Sequence, residues 1–166
     1  MVHDPNYEDA WADIEIRAAT VAEAPDIERV LSLSLAEYKS SYTNAAFELT
    51  APSREKILKR MDEGRVWVAV QNGEVVGTIS AIPKGREIRI RGLAVPPAER
   101  GRAIGKLLLV HVARYAFRNG FRRMALSTTP FLTRANREYE QFGFQRSSEG
   151  PQSVHGTPTY KMTKTL

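Results

Sequence analysis

Cysteine is absent from the 166 residues. That excludes disulfides, thiolate zinc sites and a cysteine nucleophile, and it leaves the redox compartment unread. Histidine is scarce, at positions 3, 111 and 155, and no clustered His/Asp/Glu pattern suggests a metal. No stretch approaches the roughly 20 apolar residues of a membrane span. The opening run MVHDPNYEDAWAD carries acids and lacks the apolar core of a secretory signal. These absences point to a cytoplasmic protein with no membrane partner. Repeats, low-complexity tracts and linkers are missing as well. One domain is therefore expected over residues 14–166, behind a flexible N-terminal segment, 1–13, that includes His3.

What is present is a core-forming share of apolar residues, 42%, and a net charge of +5. The charge suits an anionic partner, whether nucleic acid, an acidic surface or a phosphorylated cofactor. IEIRAA reads as a strand, and TVAEAPDIERVLSLSLAEY as a helix with Ile27, Val30, Leu31 and Leu35 at helical spacing. After a polar break, KSSYTNAAFELTAP, a second helix starts at an N-cap, Ser53, carries Ile57, Leu58 and Met61, and ends at Gly64. RVWVAVQNGEVVGTISAIP is two strands joined at Asn72-Gly73, a strong hairpin signal. EIRIRGLAV is a further strand, stopped by Pro96 and Pro97. KLLLVHVARYAFRNG is a helix, FRRMALSTT a strand, TRANREYEQFG a helix capped by Thr133 and ended by Gly143, and FQRSS with TYKMTKTL two last strands. The order βααβββαβαββ predicts a mixed α/β (α+β) domain: a mainly antiparallel sheet of six or seven strands with about four helices.

Between strand and helix stands ERGRAIGKLLL, with Gly101 and Gly105 interleaved with Arg100, Arg102 and Lys106. A glycine turn opening a helix collects unpaired N–H groups and the positive end of the helix dipole, which suits a phosphate. GRAIGK is not a P-loop: that motif needs four residues between its glycines and a Ser or Thr after the lysine, and here there are three and Leu107.

The order of elements, with LAVPPAERGRAIGKLLL and the downstream REYEQFGF, resembles the GNAT superfamily of acyl-CoA-dependent N-acetyltransferases from Ile14 to Leu166. The resemblance implies acetyl-CoA as cofactor. Its pyrophosphate would lie on the turn Arg100, Gly101, Arg102, Ala103, Ile104, Gly105 and Lys106, and its pantetheine arm along a strand edge at Leu93, Ala94 and Val95, freed from pairing by the prolines. The family pattern has a glycine where this chain has Ala103, which alanine tolerates at negative φ. The backbone N–H of Val95 would meet the oxyanion. Tyr139 matches the family's tyrosine general acid, on a helix face shared with Ala135 and Gly143. The family's pantetheine-contacting asparagine falls at Leu132, and Asn136 is the nearby substitute. Glu140 and Phe144 read as solvated and buried.

The resemblance implies a general base on the fourth strand, yet the matching residues are Arg89, Ile90 and Arg91, and only Glu87 is acidic. His111 reads as a helix-face histidine and His155 as a neighbour of the acceptor pocket. Arg89 or Arg91, if turned into the cleft, would favour an acceptor bearing a carboxylate or phosphate; as an outward stripe they would aid solubility. Tyr38, Tyr42 and Phe47 would wall the pocket or cover the core. The expected function is direct acetyl transfer to a primary amine of a small molecule, with no covalent enzyme intermediate, in a chain that is ordinarily a homodimer in this family. Two other readings stand beside it: an acyl-CoA-binding sensor or scaffold of the same fold, and a basic nucleic-acid module using Arg100, Arg102, Lys106, Arg114, Arg118, Arg122 and Arg123. The latter lacks any recognisable nucleic-acid motif, so no nucleic-acid partner is expected.

Overall fold

A computed structural model describes residues 13–50 and 52–166. Except for Asp13, the terminal segment 1–13 lies outside the described residues. The strands are β1 (Ile14–Ala18), β2 (Arg65–Gln71), β3 (Glu74–Lys84), β4 (Glu87–Ala94), β5 (Arg123–Thr128), β6 (Gln145–Arg146), β7 (Gln152–Val154) and β8 (Thr157–Thr165). The helices are α1 (Ala24–Leu35), α2 (Asn44–Thr50), α3 (Arg54–Glu63), α4 (Ile104–Arg118) and α5 (Thr133–Phe142). The sheet runs β1-β2-β3-β4-β5-β8-β6, with β7 paired to β8. Every pairing is antiparallel except β4 with β5.

Alternation along β2 explains the two layers. Trp67 and Ala69 face α4 and α5 with Ile88, Leu108, Leu109, Met124 and Phe144, whereas Val66 and Val68 face α1 and α3 with Ile27, Val30 and Ile57. Side chains such as Leu108 and Ile57, at most 1% exposed, each contribute about 2 kcal/mol of burial free energy. Asn72 and Gly73 both take positive φ, 50° and 77°, which gives the two-residue β2–β3 turn the twist its strands require.

Four expectations change. The polar break holds a fifth helix, α2, whose first turn is capped where Thr43 Oγ1 accepts the Ala46 N–H at 3.2 Å. The hairpin β7–β8, turned at His155-Gly156 with both φ positive, brings the strands to eight in place of six or seven. Thr133 is the first residue of α5, and Leu132 occupies the cap position. Finally, the helical stretch from Thr20 begins as a 3-10 turn, Val21–Glu23, held by a Thr20/Glu23 capping box.

Candidate active site

The glycine turn ends at the first residue of α4. Gly101 and Ala103 both lie in the left-handed region, φ 84° and 58°. This corrects the expectation of negative φ at Ala103: the chain holds alanine in a conformation that glycine adopts without cost. No side chain caps the helix, and the first intrahelical bond there runs from the Leu107 N–H to the Ala103 carbonyl at 3.0 Å. The N–H groups of Ile104, Gly105 and Lys106 are thus left for a ligand. Arg100 is spent on the end of α1 and the 3-10 turn after it, Ala36–Ser41, donating to Glu37 at 2.6 Å and to the Ser34 carbonyl at 3.1 Å. Arg102 pairs with Glu99 at 2.6 Å. Lys106 lines a cavity of about 210 Å³ with Ala103, Leu109, Glu138, Gln141 and Phe142. Burial, against the pull of Arg134, holds the Glu138 carboxyl above the ordinary glutamate value. A turn with free N–H donors, an uncapped helix end and a cationic side chain fits the pyrophosphate of coenzyme A.

Beside this turn the sheet opens. β4 and β5 pair only between Glu87–Arg89 and Arg123–Ala125, and then part. The edge at Leu93, Ala94 and Val95 is therefore freed by the departure of β5, more than thirty residues downstream, and not by the prolines. On its other side β4 carries a bulge, because Thr78 faces Ala94 while Ser80 faces Arg91. Gly92, at φ 61°, absorbs the extra residue. Ser80 Oγ donates to the Arg91 carbonyl at 2.8 Å and pins the bulge.

The gap between the two strands is a cleft of about 690 Å³. Its charged lining is Arg60, Lys84, Arg89, Arg91 and Lys161 against a single carboxylate, Glu149. Gln152 and Val154 of β7 close one side, and their hairpin is tied down where Thr43 Oγ1 donates to the His155 carbonyl at 2.8 Å. Leu49 and Thr50 supply the opposite wall. Tyr38, Tyr42 and Phe47 pack as an aromatic cluster with Phe131, the Tyr42 and Phe131 rings meeting edge-on at 4.8 Å.

Tyr139 is 8% exposed on the inward face of α5, its ring 6.0 Å from that of Phe144. Burial, then the neighbouring Glu138 charge and Tyr42, raise its pKa, so the phenol keeps its proton throughout the neutral range. Asn136 is committed to the β5–α5 connection: its Oδ1 accepts from Thr128 Oγ1 at 2.6 Å and its Nδ2 donates to the Thr129 carbonyl at 2.9 Å. Glu140 is exposed and Phe144 is buried, as their positions in the pattern suggest.

Glu87 lies at the other end of β4, about 23 Å of strand from Ala94. It accepts from Arg89 Nε at 2.9 Å, from Arg123 at 2.8 Å and from Lys161 at 3.2 Å. Burial alone would raise its pKa; the hydrogen bonds of Arg89 and Lys161, with Arg123, outweigh that and hold it below the ordinary value. The structure therefore does not bring Glu87 together with Val95 and Tyr139. His111 packs edge-on against Trp67, 5.7 Å away, and burial with Arg114 and Arg118 keeps it neutral.

Arg60, Lys84, Lys161 and Glu138 were not singled out by sequence. Arg60 follows Ile57 on an amphipathic helix, and periodicity locates that helix's apolar face without saying what its polar face meets. Among the described residues, no group of three or more His, Asp or Glu side chains can hold a metal ion, and no helix is long and apolar enough to cross a membrane.

Residues 27–144 match the family model described as "Acetyltransferase (GNAT) family". N-acetylaspartate synthetase of Danio rerio is 30% identical over 111 residues, covering 66% of this chain and 39% of that protein. The uncharacterized N-acetyltransferase YjgM of Escherichia coli is 29% identical over 136 residues, covering 78% and 81%. The chain thus spans well under half of the first relative and most of the second. The PaiA N-acetyltransferase of Thermoplasma acidophilum, solved in complex with coenzyme A, has the same fold: TM-score 0.80, 19% identity, 92% of this chain and 99% of that one. The chain belongs to the acetyltransferase (GNAT) family, an enzyme family that uses acetyl-CoA.

Proposed function

We propose that this chain transfers an acetyl group from acetyl-CoA directly to the primary amine of a small molecule held in the cleft between β4 and β5. The observation that carries the reading is that cleft: about 690 Å³, opened by the parting of the two strands, with a lining that runs along β4 as far as Gly92, the residue before the free Leu93–Val95 edge. When bound, acetyl-CoA supplies an acyl group activated as a thioester. The N–H groups of residues 104–106 would hold its pyrophosphate, and the Leu93–Val95 edge would orient its arm, with the Val95 N–H placed to donate a hydrogen bond to the acyl oxygen as charge develops there. Tyr139, which keeps its phenolic proton, would supply that proton to the leaving thiolate. Asn136 acts as a positioning residue that fixes the start of α5, and with it Tyr139.

An aliphatic amine with pKa near about 10 must shed a proton before it attacks. Among the described residues, no carboxylate of β4 stands at its free edge, Leu93–Ala94, to take it. The five cations of the cleft do the equivalent work electrostatically, since a positive field disfavours the ammonium form and enlarges the neutral fraction. The released proton leaves to solvent through the open cleft. The size of the cavity suits a small acceptor, and the Danio rerio relative is named for a small N-acetylated product.

The test is release of free thiol from acetyl-CoA with a panel of small amines and peptide amines, on wild type and Tyr139→Phe. Acetylation of a small amine, with kcat lowered about 100-fold in the variant, supports the proposal. Turnover of peptides only, or a protein that binds acetyl-CoA and acetylates neither class, contradicts it; the second result matches a sensor.

A further inference from the structure

Two guanidinium groups, those of Arg60 and Arg91, meet at the seam of α3 and β4, and of the two Arg91 alone is paired with a carboxylate among the described residues. Arg91 reaches Glu63 Oε2 through Nη1 and Nη2 at 3.4 Å each, long for a charge-assisted bond. Glu63 is shared with Lys59, 3.7 Å away. Arg91 Nε is buried without a hydrogen-bond partner. Arg60 donates to a peptide carbonyl, that of Leu49, at 3.3 Å, and has no carboxylate within salt-bridge distance among the described residues. Burial and the like charge of Arg91, against Glu63, push its pKa down to about 10. Both side chains line the acceptor cleft.

The bulge is what lets them meet there. A Cβ on Gly92 would lie 2.9 Å from Arg60 Nη1, so the missing side chain is the passage through which Arg60 reaches the cleft. Two adjacent guanidinium groups, one paired at 3.4 Å with a carboxylate that Lys59 shares and the other with none among the described residues, form an arrangement that an oxyanion completes: it engages a guanidinium fork in bidentate fashion and relieves the repulsion between the two charges.

We propose that Arg60 and Arg91 form an oxyanion subsite within the acceptor cleft, so that the preferred acceptor is a small primary amine carrying a carboxylate or a phosphate. The proposal rests on the reading of this cleft as the acceptor site. Arg89 does not belong to the subsite, since its Nε is held by Glu87 at 2.9 Å. Lys84 and Lys161 raise the surrounding potential.

Two measurements separate the subsite from the transfer reaction. Thermal unfolding in sodium phosphate and in sodium acetate, at constant ionic strength, is compared across wild type, Arg91→Gln, Arg91→Lys and Arg122→Gln; Arg122 lies outside the cleft, in the basin around Glu87. A rise in Tm with one of the two anions, kept in Arg122→Gln and lost in Arg91→Gln and Arg91→Lys, supports the subsite. The anion that acts tells phosphate from carboxylate. Should Arg91→Gln fail to fold, Arg60→Gln takes its place. The second measurement compares kcat/KM for phosphoethanolamine against ethanolamine and for β-alanine against its amide. A preference of about 10- to 100-fold for one anionic acceptor, which collapses in the arginine variants through KM, is the expected result. Equal use of charged and neutral amines, or anion stabilisation unchanged in the arginine variants, overturns the subsite. Anion stabilisation that depends on Arg91 without acetylation of any amine upholds the subsite and contradicts only the proposed transfer.

Discussion

Gly105, in the first turn of α4, and Glu138, on α5, touch so closely that a Cβ at position 105 would stand 2.6 Å from Glu138 Oε1. The glycine is where α5 closes on the turn before α4, and the carboxylate that fills the space has the same sign as the pyrophosphate proposed to bind there.

Glu138→Gln should therefore tighten coenzyme A binding, by about threefold to tenfold at pH 8, the scale of one repulsion in a half-buried site. Burial raises the carboxyl's pKa, with Arg134 opposing. It is neutral below that pKa and charged above it, so wild-type affinity should fall as pH rises through its titration. The variant should lack that component, and the difference between the two proteins removes the titration of the ligand's own phosphate. Lys106 and Arg134 face the same carboxyl. Calorimetry between pH 5 and pH 8 checks this; parallel curves would count against it.

Ala103→Gly should raise stability. Alanine at φ 58° costs about 1 kcal/mol relative to a relaxed residue, and glycine recovers much of that while losing some entropy in the unfolded chain. A gain of about 0.5 kcal/mol in urea unfolding, with coenzyme A affinity unchanged, is expected. A loss of stability would mean that the turn does not hold positive φ at this position.

Glu87→Gln tests whether that carboxylate anchors or catalyses. Three cations donate to it, and its loss leaves them facing one another, at a cost of about 1–3 kcal/mol once the exposure of Arg89 and Arg123 is allowed for. Its pKa is lowered in the folded protein, so its contribution is present above the ordinary carboxylate range and lost as pH falls through the folded value. The variant should lack that acid-side loss. At a temperature where both proteins are folded, kcat should agree within about threefold. A fall of about 100-fold with an altered pH profile would instead make Glu87 the base.

The elements with local causes were legible from the residues. Asn72-Gly73 forced a turn, Gly143 ended α5 at φ 107°, and the glycines before α4 marked a strand-to-helix turn. What escaped notice depends on partners distant in sequence. The departure of β5 from β4 after Ala125 is set by sheet packing, and nothing in LAVPP foretells it. Arg60 and Arg91 lie on different elements and meet only through the bulge at Gly92. Asn136 is the pattern's nearby substitute for a pantetheine-contacting asparagine, but its amide joins Thr128 to the Thr129 carbonyl, a contact set by how the β5–α5 connection is built. The conformation of Ala103 is a case where local steric preference argued for the wrong sign of φ and the surrounding turn prevailed.

If the turn before α4 holds the cofactor of an acetyltransferase, calorimetric titration with acetyl-CoA, coenzyme A and ATP, on wild type and on Gly105→Glu, will register it most directly. The variant sets bulk and a second carboxylate beside Glu138 in that turn. Micromolar binding of acetyl-CoA and coenzyme A, none of ATP, and loss of both ligands in a variant that remains folded are expected. A folded wild-type protein that binds neither acetyl-CoA nor coenzyme A, or a Gly105→Glu protein that binds them as well as wild type, would contradict that reading of the turn.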